Sequence, residues 1–228
     1  IYGGNYVYDD KGNRLVDENG FYLRSSSKEV IGNITPDFTT GFTNTLTYGN
    51  FSLSFTFDYQ HGGDYYAGPY ALGMYAGTIR ETVANGMRDL IDDPNNPTQK
   101  IQRGIIQQGV YAPLKSDRET PNPLAGQPNQ TRISPKEYGT TFYKGIDAQA
   151  IFDATFLKLR SLSLTYDVPL PETKHIKGLN FTLSGYNLWT GMLAWDGMDP
   201  ETAMYNQGMG NSSLPTTRSF SLSVGLKL

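Results

Sequence analysis

The stretch FSLSFTFDYQ, residues 51–60, alternates without a break. Phe51, Leu53, Phe55, Phe57 and Tyr59 hold the odd positions, and Ser52, Ser54, Thr56, Asp58 and Gln60 the even ones. Successive side chains of a strand point to opposite faces, so this is a ribbon with one apolar face and one hydroxyl-rich face. The same period returns four times. Residues 38–48 place Phe38, Phe42, Leu46 and Tyr48 opposite Thr39, Gly41, Thr43, Thr45 and Thr47. Residues 160–168 place Leu162, Leu164, Tyr166 and Val168 opposite Ser161, Ser163, Thr165 and Asp167. Residues 180–189 begin in phase with Phe181 and Leu183 and lose it near Gly185, which predicts a bulge. Residues 218–228 place Phe220, Leu222, Val224, Leu226 and Leu228 opposite Ser219, Ser221, Ser223, Gly225 and Lys227.

Connection lengths organise these strands. Gly49-Asn50 is a two-residue turn between the first two. Long segments, 61–155 and 190–217, follow the second and fourth strands, and the modest PLPETKHIKGL follows the third. Short and long connections therefore fall at alternate ends of one antiparallel sheet. Within the long insert, Leu72, Tyr75, Ile79, Val83, Met87, Leu90 and Ile91 recur at helical spacing, predicting a helix over 71–93. Residues 112–140, rich in Pro, Asn, Gln and Ser, read as loop or partly disordered chain.

Two solvents suit such a sheet. In a soluble β-sandwich the apolar face packs on a core and the hydroxyl face meets water. In a membrane barrel the apolar face meets lipid and the hydroxyl face lines a lumen. Charged residues are only 18% of the 228, and Ser and Thr replace the Lys and Glu usual on exposed strands. Eleven residues extend about 36 Å at roughly 3.3 Å each, and tilted by about 40° they rise about 28 Å, enough for an apolar band of roughly 25 Å. Tyr48, Tyr59, Tyr166 and Trp189 sit at strand ends, where interfacial aromatics belong. The barrel is therefore expected: an all-β, transmembrane antiparallel architecture. Five strands cannot enclose a wide lumen, so they would belong to a larger barrel, and an opening at Ile1 without initiator Met or leader fits a portion of a longer protein.

Composition excludes several chemistries. With no Cys there is no thiol catalysis or disulfide, and two His, His61 and His175, do not make a His-rich metal site. A net charge of −3 gives no sign of a nucleic-acid partner. No GxSxG or Ser-His-Asp spacing supports an enzyme.

Longer motifs are more specific. DATFLKLRSLSLTYDVP at 153–169 and GLNFTLSGYNLWT at 178–190 resemble segments of SusC/RagA-family TonB-dependent transporters. WDGMDPE at 195–201 is similar to that family's Gly-aromatic-Asp-Pro-Glu loop, with Met198 at the aromatic position. IGNITPDFTTGFTNTLTYGNFSLSFTFDYQHGGDYY at 31–66 resembles its Gly-Asn-x-x-Pro stretch and strand pair. A further departure is the terminal Leu228 where outer-membrane strands commonly end in an aromatic. The resemblance implies the C-terminal strands of a roughly 22-stranded barrel in the bacterial outer membrane, with extracellular loops over about 1–37, 61–155 and 190–217. The plug would lie outside this chain. It also implies import of oligosaccharides or oligopeptides, a SusD-type surface lipoprotein partner, and energy from the TonB complex through an N-terminal region. No cofactor or metal is implied. A secreted carbohydrate-binding β-sandwich and a passive porin are the alternatives.

Candidate contact residues lie in the expected loops. Tyr65, Tyr66, Trp195 and Tyr205 could stack on a sugar or touch the lipoprotein; loop packing is the plainer role. Asp196, Asp199 and Glu201 could hold calcium, though not with EF-hand spacing, and a solvated or structural role is the plainer one. Asp58 and Asp167 are expected on the lumenal face.

Overall fold

The computed structural model describes residues 1–143, 145–171, 176–211, 214 and 216–228. His175 and part of the connection after the third long strand fall outside them. The chain divides into two compact units, one of Ile1–Gly32 with Tyr66–Ile151 and the other of Asn33–Tyr65 with Phe152–Leu228.

The second unit holds the long strands Phe38–Tyr48, Phe51–His61, Phe156–Asp167, Gly178–Gly191 and Ser219–Lys227, here the first to fifth. They form one antiparallel sheet in the spatial order fifth, fourth, third, second, first. Gly49 takes φ +56° at the first position of the hairpin turn, the conformation that a type II′ turn asks of glycine.

Register turns the alternation into rungs. Leu46, Leu53, Leu164, Leu183 and Leu222 lie side by side across all five strands. Towards the hairpin end, Tyr48, Phe51, Tyr166, Phe181 and Val224 make the next apolar rung. Between them on the other face run Thr47, Ser52, Thr165, Thr182 and Ser223. Hydroxyl pairs tie that face together: Thr43 to Thr56 at 3.0 Å, Thr45 to Ser54 at 3.1 Å, Thr47 to Ser52 at 3.2 Å and Thr165 to Thr182 at 2.8 Å. The apolar face is exposed at Phe42, Leu46, Leu164, Leu183, Phe220 and Leu222. Among the described residues no second sheet covers it, so the sandwich alternative lacks its other half.

The phase loss expected near Gly185 occurs at Asn187-Leu188. Leu159 pairs with Trp189 and Ser161 with Tyr186, so Arg160 faces two residues, Asn187 and Leu188, one more than regular pairing allows, and Asn187 takes φ +52°. Against the second strand Arg160 is itself the extra residue, because Leu159 pairs with Phe57 and Ser161 with Thr56. The third strand starts at Phe156, four residues before its clean alternation, and the fifth spans Ser219–Lys227.

The first unit is small-element structure with its own core of Ala71, Met74, Phe142 and Ala150. The helix expected over 71–93 is cut short: it spans Gly68–Ala76 and ends on Gly77 in the left-handed region. Asn85 and Gly86 then take positive φ, and Leu90–Asp93 becomes a strand paired with Asn96–Gln102. Glycines and β-branched residues in this stretch outweigh the apolar spacing. Residues 112–140 are more ordered than their composition suggested. Buried Asn122 and Asn129 anchor turns there, with main-chain bonds from Asn122 to Pro113 and from Asn129 to Gly109. Helix Pro135–Thr141 opens on a capping box of Ser134 and Glu137.

Candidate functional site

Charge is sparse on the five long strands. Their only Asp, Glu, Lys or Arg residues are Asp58, Lys158, Arg160, Asp167 and Lys227. The first three meet near the end away from the hairpin, on the hydroxyl-rich side. Strict alternation would put Arg160 with Leu162 on the apolar face. The bulge places Arg160 and Ser161 on the same side, so the guanidinium reaches Asp58 through Nε at 2.7 Å.

The segment after the fourth strand completes the cluster. Asp199 caps helix Pro200–Met204 by accepting from the Glu201 backbone at 3.0 Å. Its two carboxylate oxygens each accept from Lys158 Nζ at 2.7 Å. Glu201 Oε2 accepts from Lys158 Nζ at 2.6 Å and from Arg160 Nη1 at 2.8 Å, and Arg160 Nη2 donates to Oε1. Thr216 donates to Asp199 at 2.8 Å and Tyr205 to Glu201 at 3.3 Å. The side chains of Lys158, Asp199 and Glu201 are only 2%, 10% and 14% exposed. Burial alone would raise the Glu201 carboxyl, but hydrogen bonds and charge from Arg160 and Lys158 outweigh it and hold it at about 2.

Three carboxylates against two cations leave this group one negative charge in excess. Both cations are saturated by carboxylates, so neither is offered to a ligand. The arrangement is a tether. It fixes the WDGMDPE segment to the second and third strands.

The aromatic residues of the same unit pack beneath that segment. Trp195 is 8% exposed and stacks on Phe152 with centroids 5.9 Å apart, and Tyr65, 1% exposed, lies 6.1 Å from Phe152. A Cβ on Gly197 would lie 2.1 Å from the Trp195 indole, so glycine lets the chain turn over the ring. Burial, with the charges of Asp199 and Asp153, pushes the Tyr65 phenol up to about 12, which keeps it protonated.

The sequence-expected contact residues thus divide. Tyr65 and Trp195 are packing residues, not surface stacking platforms. Tyr66 is half-buried against the core of the first unit. Asp199 and Glu201 are engaged by Lys158 and Arg160, which removes them as calcium ligands. Among the described residues no group of three or more acidic or His side chains could hold a metal ion. Asp196 is exposed and, with Asn187, Met198 and Arg218, lines a cavity of about 330 Å³ beside Asp199. Tyr205 is 82% exposed. Asp58 lies on the hydroxyl-rich face as expected and is the anchor of Arg160. Lys158 and Arg160 were not singled out from sequence, although cations in otherwise uncharged strands are themselves a signal.

No protein-family model matches the chain. A TonB-dependent receptor of Formosa agariphila is 24% identical to it over 224 residues, taking in 93% of this chain and 18% of that protein. The solved structure described as the RagAB peptide transporter shares its fold at a TM-score of 0.54 and 20% identity, covering 99% of this chain and 22% of that one. The RagAB peptide importer in the open-open state does so at 0.52 and 18%, covering 100% and 22%. The chain spans about a fifth of the length of these proteins, at 18% and 22%. Together they bear out the resemblance to the SusC/RagA kind of TonB-dependent transporter.

Proposed function

We propose that this chain forms part of the barrel wall and surface loops of a bacterial outer-membrane importer of the TonB-dependent type, and that it carries no catalytic activity. The observation that carries this reading is the two-faced sheet. A row of five leucines bounded by an aromatic rung faces outward uncovered, while the opposite face is hydroxyl ladders. Lipid on one side and a water-filled lumen on the other suit both faces at once. Lipid also forbids an open sheet edge, so further strands of the same protein would close the barrel.

The segments outside the sheet, about 1–37, 61–155 and 190–217, are assigned to the extracellular side, because the tight Gly49-Asn50 turn belongs at the periplasmic end. The cargo is an oligopeptide or oligosaccharide; RagAB, of the same fold, is described as a peptide importer. A SusD-type lipoprotein covers the loops, and energy reaches the barrel from the TonB complex through a plug. Uptake of labelled oligopeptides and oligosaccharides by cells with and without the protein tests this, repeated in cells lacking TonB. Loss of uptake in both deletions is the expected result. Uptake that needs the protein but not TonB would indicate a porin, and recovery of the protein in soluble, detergent-free form would return the sandwich.

A further inference from the structure

The ion cluster leaves one carboxylate oxygen unspent, beside a cavity of about 270 Å³ on the hydroxyl-rich face. Thr39, Gly41, Asp58, Gln60, Arg160 and Glu201 line that cavity. Register sets them side by side: Thr39 pairs with Gln60 and Gly41 with Asp58, in the row that Thr43 and Thr56 continue. Arg160 takes Oδ2 of Asp58, and Oδ1 accepts no hydrogen bond among the described residues. Gly41 puts no side chain beside that oxygen, where a Cβ would lie 3.3 Å from it. The Asp58 side chain is 38% exposed, so a ligand in the cavity can reach it.

Gln60 points the same way by a different route. The residue is 7% exposed, and its Nε2 donates to the carbonyl oxygens of Gly62 at 3.4 Å and Ala154 at 3.1 Å. Two carbonyls at one end of the amide fix that end as nitrogen, so the other end is oxygen. That Oε1 has no donor among the described residues, an unfavourable state for so buried a side chain unless a ligand or water supplies one. The Thr39 hydroxyl opposite it is also without a partner among the described residues. Three oxygens without donors thus border one cavity, and one of them belongs to a carboxylate. The surrounding group already carries one negative charge in excess, and its two cations are spent. A ligand that brings both positive charge and several donors suits this wall. Calcium would want six or more oxygens, whereas a primary ammonium has three donors.

We infer that this cavity is a subsite for a primary ammonium group of the cargo, held by Asp58 Oδ1, Gln60 Oε1 and the Thr39 hydroxyl. The inference rests on the importer reading, which makes the hydroxyl-rich face the wall of the lumen, and adds a chemical class: cargo that carries a free amine. A lysine side chain and an amino sugar share that chemistry.

Two pairs of dye-labelled probes, titrated by anisotropy against the full-length protein in detergent, test this. One pair is acetyl-Gly-Gly-Lys-Gly-Gly and its twin with the lysine amine acetylated. The other is a glucosamine dimer and its N-acetylated twin. Asp58→Asn keeps an acceptor for Arg160 and turns the free oxygen into an amide donor. Thr39→Val keeps the side-chain shape and leaves the ion cluster untouched. In at least one pair the amine form is expected to bind about tenfold more tightly than its acetylated twin, and that pair names the carrier. The ratio should fall to about one in Asp58→Asn and by about threefold in Thr39→Val. Equal binding within both pairs, or a preference that survives Asp58→Asn, overturns the proposal. Should Asp58→Asn fail to fold, Thr39→Val decides, and an unchanged ratio there overturns it. Binding is measured without transport or TonB, so failure of the importer reading would show in uptake while the ratio stood.

Discussion

Lys158→Met tests the tether directly. Lys158 is almost wholly buried and gives hydrogen bonds to Asp199 and Glu201 together. Methionine keeps most of the stem volume and removes the charge. Glu201 retains Arg160 as a partner, whereas Asp199 is left with Thr216 and one backbone amide. Removing one member of a buried pair costs about 3–5 kcal/mol. The retained donors place this case at the lower end, about 3 kcal/mol, or roughly a hundredfold in the opening equilibrium of the WDGMDPE segment. Hydrogen exchange of the amides of residues 196–205, in the full-length protein in detergent, reads that opening. A second change, Asp199→Asn, keeps a capping side chain and deletes the stranded charge. The double variant should recover about 2 kcal/mol of the loss. If Lys158→Met alters protection less than threefold, or Asp199→Asn makes it worse, the cost is not that of an unpaired buried carboxylate and the argument fails.

Three other outcomes follow from the same geometry. Phe55→Arg, on the uncovered face, should cost about 2–4 kcal/mol in a bilayer, and Thr56→Arg on the hydroxyl face much less; equal penalties in reversible unfolding from lipid would count against a lumen. A Cβ at Gly49 meets no neighbouring atom, so Gly49→Ala should cost the positive-φ backbone alone, about 1–2 kcal/mol, read in the same unfolding measurement; no loss would mean the turn refolds in another form. The Glu201 carboxyl sits at about 2 in place and ordinarily at 4.5, so the detached segment binds protons more readily. Its contribution, about 3 kcal/mol, is complete above about pH 4.5 and fades as pH falls towards 2. Exchange protection of the amides of residues 196–205, corrected for the intrinsic pH dependence of exchange, should stay constant from pH 7 to 5 and fall below about pH 4.5; a fall centred above pH 5 would contradict this.

What the sequence made legible was what period-2 physics controls. The five strands, their order and the face of Leu53 or Ser54 follow from alternation and connection length. The ion cluster follows from something the period cannot carry. Arg160 and Leu162 are two residues apart, and a strand places such residues together unless a bulge intervenes; the adjacent polar pair Arg160-Ser161 between Leu159 and Leu162 marks the slip in phase, but not which partners the displaced cation meets. Tyr65 and Trp195 look like surface aromatics in a loop, and only Phe152, distant in sequence, shows what they pack on. The helical spacing over 71–93 was genuine as a pattern, but Gly77 and Asn85-Gly86 impose backbone conformations that no helix accepts. Conversely, Ser134 and Glu137 were a readable capping box, hidden in a stretch whose composition suggested only loop.

The bulge can be tested by subtraction. Without Arg160 the third strand reads Leu157, Lys158, Leu159, Ser161, Leu162, which alternates from Leu157 onward, and its pairing with the second strand becomes regular. Deleting Arg160 should therefore keep the pairing with the second strand and the outward apolar rungs, and leave Asn187 and Leu188 as a two-residue bulge on the fourth strand. It should also strip Asp58 and Glu201 of their shared cation. Arg160→Ala removes the cation and keeps the extra residue. If Arg160 is an insertion that serves the tether, both variants should reach the membrane at wild-type levels, and both should lose exchange protection at residues 196–205 by comparable factors. Burial of Glu201 makes that loss about 1–3 kcal/mol, because a second cation, Lys158, remains beside it. A deletion variant that fails to insert while Arg160→Ala inserts normally would show that the barrel needs the bulge itself, for curvature or closure, and that the tether is built on a feature the fold already required.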